Sequence, residues 1–112
     1  MPSYTPPLRD MQFLLHEVLH ASEALLAMPP HADMDADTLA AVLQEGGKFA
    51  SEVIFPLNQV GDEQGCQLDS STHEVKTPDG FKAAYAQFVE GGWPSLSCDP
   101  AYGGQGLPIV VN

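Results

Sequence analysis

The sequence predicts an all-α fold: a small helical domain of three main helices and a shorter one, with an extended N-terminal arm and a Gly-rich C-terminal loop. Apolar residues recur at the 3.6-residue period in three separate stretches, which is typical of helices with one buried face. Pro and Gly residues separate these stretches. Five of the ten glycines and three of the ten prolines lie in residues 91–108, which predicts an irregular loop there.

The N-terminal third is predicted to hold an arm and two helical pieces. Residues 1–7 contain three prolines and predict an extended arm. A first helix follows, with one apolar face formed by Met11, Leu14, Leu15, Val18 and Leu19. Its other face, with His16 and His20, is predicted to face water. A shorter helical piece, Ser22 to Met28, is stopped by Pro29-Pro30, and residues 29–34 are predicted to be a loop.

The longest predicted helix begins at Asp35 or Asp37, either of which can cap it. It carries a long apolar stripe: Leu39, Val42, Leu43, Ala50, Val53, Ile54 and Leu57. Gly46-Gly47 predicts either a kink or a close approach by another helix, because glycine is unfavourable inside a helix. Pro56 is predicted to end or bend this helix.

The rest of the chain alternates turns with one more helix. Residues 61–76 are polar and rich in turn formers, which predicts a surface connection with at most a short hairpin. Thr77-Pro78 predicts the start of the third main helix, and Gly91-Gly92 its end. The apolar stripe of this helix is formed by Phe81, Ala84, Tyr85, Phe88 and Val89.

The charge balance excludes several classes of function. The formal net charge is −11, with only four basic residues, Arg9, Lys48, Lys76 and Lys82, scattered along the sequence. This argues against binding to nucleic acid or to anionic membranes, which requires clustered cations. The N-terminus has neither a signal-peptide pattern nor a long apolar run, so the expected compartment is the cytoplasm. In that compartment Cys66 and Cys98 are expected to be free thiols.

One motif suggests metal chemistry. The segment from His16 to His20 reads H-E-x-x-H, which on an α-helix can hold zinc with Glu17 activating a water molecule. A catalytic site needs a third protein ligand, and the spacing of His31, Glu45 and His73 singles out none of them. A zinc hydrolase is therefore the least favoured of three hypotheses, and no metal is expected.

The Gly-rich loop carries a more specific signal. The residues Gly92-Trp93, Asp99-Pro100 and Ala101-Tyr102-Gly103-Gly104-Gln105-Gly106-Leu107-Pro108 resemble the N-terminal helical domain of flavin-dependent acyl-CoA dehydrogenases. The residues Phe49-Ala50, Pro56-Leu57-Asn58, Gly61-Asp62, Gly65-Cys66 and Thr77 to Tyr85 resemble the methylmercaptopropionyl-CoA dehydrogenase branch. Tyr4 to Leu19 is similar to a short N-terminal extension of that branch. This similarity accounts for His16 and Glu17 without zinc.

The resemblance implies a set of expectations. The chain is expected to be an N-terminal fragment of a longer enzyme that uses FAD to dehydrogenate an acyl-CoA thioester and passes electrons to electron-transfer flavoprotein. Residues 1–34 would be an extension and residues 35–112 the domain, truncated at its C-terminus. The fragment is expected to wall the acyl pocket, with Tyr102, Gly103, Gly104 and Gly106 at the pocket rim and Trp93 and Tyr102 anchoring the loop. It would pack on the remaining domains.

No catalytic or flavin-binding residue is expected within these 112 residues, and the fragment alone is expected to be inactive. The competing hypothesis is a stand-alone helical interaction or dimerisation module. Such a module would seal its apolar faces internally and be a stable monomer or a symmetric dimer. A fragment, in contrast, is expected to be able to self-associate, because helices shaped to pack on absent domains leave apolar patches.

Overall fold

Helices form most of the protein in the computed structural model, which describes residues 3–112. Met1 and Pro2, the first residues of the predicted arm, lie outside the described residues. The α-helices are α1 (Leu8–Gln12), α2 (Ala21–Leu26), α3 (Ala36–Phe49), α4 (Leu57–Gln64) and α5 (Phe81–Glu90). Single 3₁₀ turns lie at Pro29–His31, Trp93–Ser95, Pro100–Tyr102 and Ile109–Val111. The predicted all-α class is confirmed.

The first predicted helix changes its winding halfway. α1 continues into a π-helical turn, Phe13–Val18, in which the Leu19 N–H donates to the Leu14 carbonyl at 2.8 Å. The wider turn rotates the later side chains relative to an α-helix. The prediction of one buried apolar stripe is therefore wrong for most of its members. Leu15 is 6% exposed, but Leu14 is 51% and Leu19 is 59% exposed.

The longest helix is interrupted where the sequence predicts. α3 continues through a π-helical turn, Ala50–Ile54, and after Pro56 the chain resumes as α4. Proline has no N–H and crowds the preceding turn, so a wider turn before it relieves the clash. At its start, Asp35 rather than Asp37 is the cap, since Asp35 Oδ1 accepts from the Thr38 N–H at 2.8 Å.

The glycine pair in α3 marks a close approach. A Cβ at Gly47 would stand 2.8 Å from Cγ of Pro6 in the N-terminal arm. A Cβ at Gly46 would stand 3.4 Å from Cζ3 of Trp93. Of the two predicted reasons for the glycines, close approach is the one the structure shows, although the neighbours are an arm and an indole ring.

A short hairpin and a turn connect α4 to α5. Strands β1 (Gln67–Leu68) and β2 (Val75–Lys76) pair antiparallel, a short hairpin of the kind that the prediction allowed. The prediction of a surface connection over residues 61–76 is wrong at its start, because residues 61–64 form the last turn of α4. The predicted helix start at Thr77-Pro78 is wrong, because α5 begins at Phe81. The Gln64 side chain binds Asp79, accepting from its N–H at 2.8 Å, and Gly80 has φ 84°, so these residues form a turn.

The core is small and the molecule is flat. Leu15, Ala21, Leu39 and Val111 form the buried cluster, and only Leu39 among the described residues has a fully buried large side chain. The dimensions are 57 × 38 × 17 Å and the radius of gyration is 17.8 Å. A compact chain of this length has a radius of about 13 Å. The helices thus form roughly one layer, which leaves apolar side chains exposed.

The exposed area agrees with this shape. The accessible surface is 8054 Å², whereas a compact monomer of this size exposes about 6,000 Å². Large apolar side chains that are at least half exposed include Phe13, Leu14, Val18, Leu19, Leu68, Val75, Tyr85, Tyr102 and Ile109. Within residues 3–112, no helix is both long and apolar enough to cross a membrane.

Candidate functional site

An apolar groove lies between the α3–α4 junction and α5. Its volume is ≈ 940 Å³. It is lined by Tyr4, Ala50, Ile54, Phe55, Leu57, Asn58, Gly61, Asp62, Gly65, Cys66, Pro78, Phe81, Ala84, Tyr85 and Phe88. We call this set the α4–α5 groove. It lies where the π-helical turn Ala50–Ile54 and α4 face α5.

Aromatic rings and two glycines shape the groove. The Phe81 ring lies against the backbone of α4, where a Cβ at Gly61 would stand 2.8 Å from its Cζ. Tyr4 of the arm stacks on Phe55 with ring centroids 6.1 Å apart. A Cβ at Gly80 would stand 2.8 Å from Cδ2 of Leu57. Large side chains thus approach helix backbone directly, and the groove wall has few polar atoms.

A second set of rings ties the Gly-rich loop to this wall. Phe49 packs on Trp93 with centroids 6.1 Å apart and on Phe88 with centroids 6.2 Å apart. Phe88 in turn packs on Tyr85 at 6.4 Å. Aromatic pairs at these distances are stabilising beyond the area that they bury. Trp93 therefore anchors the start of the Gly-rich loop on α3, as predicted.

The groove carries little that could catalyse proton or group transfer. Besides its tyrosines, its polar side chains are Asn58, Asp62 and Cys66, and no Lys, Arg or His lines it. The two carboxyl groups with a lowered pKa lie elsewhere. Hydrogen bonds from the side chain and backbone of Thr38 lower the pKa of Asp35. The Ser71 hydroxyl, with the N–H groups of Ser71 and Thr72, lowers the pKa of Asp69. Both shifts come from local turns.

Backbone hydrogen bonds join the two ends of the Gly-rich loop. The Gln105 N–H donates to the Ser95 carbonyl at 2.9 Å, and the Leu107 N–H donates to the Leu96 carbonyl at 2.8 Å. Asp99 Oδ1 accepts from the Ala101 N–H at 2.8 Å and caps the small turn inside the loop. The loop is a folded unit with defined hydrogen bonds.

The four residues predicted at the pocket rim lie together in this loop, and none of them lines the α4–α5 groove. Gly103 and Gly106 have φ of 87° and 68°, a conformation that favours glycine. Gly104 passes against the Cys98 carbonyl without room for a Cβ. The prediction that Tyr102 anchors the loop is wrong, since its side chain is 92% exposed. It is the last residue of the 3₁₀ turn Pro100–Tyr102.

The histidine motif does not have the geometry of a zinc site. His16 lies in the π-helical turn and His20 lies beyond it with φ 50°, so the two are not one α-helical turn apart. The prediction that His16 faces water is also wrong, because both its ring nitrogens are shielded from solvent and lack hydrogen-bond partners. Within residues 3–112, no three His, Cys, Asp or Glu side chains converge to hold a metal. Cys66 and Cys98 are exposed free thiols.

Comparison with known proteins gives the chain its family context. It is 39% identical over 110 residues to 3-methylmercaptopropionyl-CoA dehydrogenase from Ruegeria pomeroyi, across 98% of this chain and 18% of that protein. The relatives of this chain are acyl-CoA dehydrogenases. The Broad-specificity linear acyl-CoA dehydrogenase FadE5 from Mycobacterium tuberculosis is 32% identical over 111 residues, across 99% of this chain and 18% of that protein. No family model matches the chain.

The similarity to acyl-CoA dehydrogenases confirms the resemblance inferred from the sequence and sets its extent. The chain spans about a fifth of the length of each relative, 18% in both cases. The basic residues among residues 3–112 form no cluster that could bind the pyrophosphate of FAD. A flavin dinucleotide needs donors or cations around its pyrophosphate. Arg9 and Lys48 border separate depressions, Lys76 is on β2 and Lys82 on α5, so the basic residues do not gather at one site.

Sequence reasoning did not find the α4–α5 groove. Its helical stripes were recognised, but the groove also includes Tyr4, which reaches Phe55 from a distant part of the chain. One signal was present: Gly61 and Gly80 both lie where a large side chain meets the backbone. Glycines inside or next to an apolar helix indicate such approaches.

Proposed function

We propose that this chain is part of a longer flavin-dependent acyl-CoA dehydrogenase. The parent enzyme would remove two hydrogens from the α and β carbons of an acyl-CoA thioester. The observation that carries the proposal is the identity of 39% over 98% of the chain to an enzyme with that name. The match runs along the arm, the helices and the Gly-rich loop, so it does not depend on a short motif.

The shape of the chain supports the proposal. The flat layer exposes about 2,000 Å² more than a compact monomer of its size, and its total accessible surface is 8054 Å². That excess is comparable to a stable protein interface. A chain that contributes one layer of a larger enzyme has this property, because its partner layers cover the apolar side chains. The α4–α5 groove is part of the surface that would be covered.

The role proposed for this part of the enzyme is structural. It walls one side of the acyl pocket, with the Gly-rich loop and its residues Tyr102, Gly103, Gly104 and Gly106 at the rim. Excluding water from such a pocket strengthens the electrostatic interactions inside it. Residues 1–34 would form an extension and residues 35–112 the helical domain. The carboxylate that removes the α-proton and the contacts to FAD would come from the rest of the enzyme.

The partners of the parent enzyme follow from the same resemblance. Acyl-CoA is the proposed substrate, electron-transfer flavoprotein the proposed electron acceptor, and the cytoplasm the proposed compartment. The 112-residue chain alone would have no dehydrogenase activity and bind no FAD, in keeping with the absence of a cationic cluster among its described residues.

A chimera tests the proposal. The matched 110 residues of the Ruegeria pomeroyi enzyme would be replaced by the corresponding residues of this chain. The expected result is a folded protein that retains flavin absorbance and oxidises an acyl-CoA. The unmodified Ruegeria pomeroyi enzyme is the matched control. A chimera that folds to the same oligomer as this control but has neither flavin nor activity would count against the proposal.

A further inference from the structure

The outer face of the first helical segment has a charge pattern that is complementary to itself. Arg9, Asp10, Gln12, Phe13, His16 and Glu17 border one shallow depression of ≈ 590 Å³. We call this set the α1 face. Phe13 is midway between Arg9 and Glu17 in the sequence, and its side chain is 50% exposed. A basic residue stands near one end and an acidic residue at the other.

We propose that the α1 face binds the α1 face of a second copy of this chain, with the two helical segments antiparallel about a two-fold axis at Phe13. In that register residue 9 of one copy lies opposite residue 17 of the other, and residue 10 lies opposite residue 16. Arg9 thus meets Glu17 of the second copy twice, once on each side of the axis. A two-fold contact is isologous, so one patch must complement itself.

The charges of this face are available for such a contact. Arg9 and Glu17 are both exposed. They are eight residues apart, or about 12 Å along a helix, which is too far for an ion pair within one copy. Opposite charges across an interface steer association and fix its register. The antiparallel pairing gives each of these side chains an opposite charge, whereas a parallel pairing would give neither one.

His16 supplies a second observation. Both of its ring nitrogens are shielded from solvent and have no hydrogen-bond partner within the described residues. Leaving a shielded polar group unpaired is unfavourable, whereas a hydrogen bond to a charged group is among the stronger ones. In the proposed register His16 lies opposite Asp10 of the second copy. A turn of the imidazole toward the α1 face lets a ring N–H donate to that carboxylate.

A second copy is favoured over an unrelated partner because the charges of the α1 face complement those of an identical α1 face. The chain as a whole carries a net charge of −11, which opposes contact between copies through most surfaces. A contact between copies therefore has to use a place where local charges attract. A single helix pair buries less than ~1,200 Å², at the low end for protein interfaces, where weak and transient contacts are found.

Charge exchange on the 112-residue chain tests the proposal by sedimentation equilibrium at low salt. Arg9→Glu or Glu17→Arg alone is expected to weaken self-association about tenfold, since like charges then face each other twice. An equimolar mixture of the two variants is expected to restore association as a heterodimer, because each Glu then faces an Arg. Phe13→Ala is expected to weaken association both in the otherwise wild-type chain and in the mixture of the two charge variants. Circular dichroism confirms that each variant keeps its helices.

Matched controls separate this contact from general charge effects. Lys82→Glu and Glu23→Arg make the same charge changes at exposed positions outside the α1 face. Glu17→Arg and Glu23→Arg both make the net charge less negative, so general repulsion predicts tighter association for both. The proposal predicts weaker association for Glu17→Arg only. A wild-type chain that stays monomeric at several hundred micromolar, or a mixture that associates no better than its components, overturns it.

Discussion

The backbone of Gly104 lies directly against the carbonyl oxygen of Cys98, with no space between them for a Cβ atom. The Gly106 N–H donates to that same carbonyl at 3.0 Å. Two parts of the Gly-rich loop are thus held together by backbone contacts. The shape of the loop therefore requires that residue 104 has no side chain.

Gly104→Ala is expected to destabilise the protein by about 1–3 kcal/mol, the usual cost of forcing extra atoms into a packed site. The contact is with backbone, which cannot move aside as a flexible side chain can. Urea unfolding followed by circular dichroism measures the change. Gly103→Asn is the matched control: nothing lies within 4 Å of a Cβ there, and asparagine tolerates the left-handed conformation. Equal losses for both would contradict the account.

The two adjacent glycines of α3 are expected to respond in opposite directions. At Gly47 a Cβ would stand 2.8 Å from Cγ of Pro6, whose ring cannot rotate away, so Gly47→Ala is expected to be destabilising. At Gly46 the nearest atom, Trp93 Cζ3, is 3.4 Å away, which is ordinary contact. Gly46→Ala is therefore expected to be neutral or to stabilise by up to about 1 kcal/mol. Thermal unfolding of the two variants tests this ordering.

The cap of α3 gives stability a pH dependence. Hydrogen bonds from the side chain and the N–H of Thr38 hold the pKa of Asp35 below its ordinary value of 3.8. The unfolded state binds the proton more readily, so the stabilisation is complete above pH 3.8 and is lost as pH falls through the folded-state value. Asp35→Ala is expected to lower the urea midpoint at pH 7 and to remove this dependence.

A matched variant separates the cap from the charge at Asp35. Asparagine is also a good N-cap, so Asp35→Asn is expected to keep the urea midpoint near that of the wild type at pH 7. It cannot ionise, so it should lose the contribution of this residue to the acid dependence. If Asp35→Asn and Asp35→Ala lower the midpoint equally at pH 7, the hydrogen bond from Thr38 is not what stabilises the helix start.

The α4–α5 groove is expected to bind an apolar fluorescent probe in the isolated chain. Tyr85 lines the groove and is 66% exposed, so Tyr85→Lys places a charge there and is expected to reduce probe fluorescence. Tyr102 is 92% exposed but does not line the groove. Tyr102→Lys, the control, is expected to leave most of the fluorescence unchanged. Titration with the probe at constant protein concentration measures the difference, and equal loss in both variants would contradict the assignment.

Local sequence signals predicted most of the helices. The period of apolar residues identified α3 and α5, and short-range chemistry gave Asp35 as one of two candidate caps and placed the interruption at Pro56. These features depend on residues within one or two turns of each other. The similarity to acyl-CoA dehydrogenases was also readable from the sequence, because the order of residues in Gly92-Trp93 and in the Gly-rich loop resembles that family.

A change of helix winding and a contact between distant residues explain the features that were predicted wrongly. His16 is shielded and Leu14 is exposed because a π-helical turn rotates the side chains after Phe13. The periodicity of the sequence assumes α-helical winding and cannot report such a change. The start of α5 shifted because Gln64, fifteen residues earlier, binds Asp79. Contacts of this kind have no local signature.

Flavin reduction by an acyl-CoA tests the central claim most directly. The complete coding sequence in which these residues occur would be expressed, and the purified protein mixed anaerobically with a saturated acyl-CoA. The account predicts a yellow protein with one flavin per chain. The visible absorbance of this flavin is bleached as the acyl-CoA is oxidised, because the flavin accepts the hydride. A folded protein that carries no flavin, or whose flavin no acyl-CoA reduces, would contradict it.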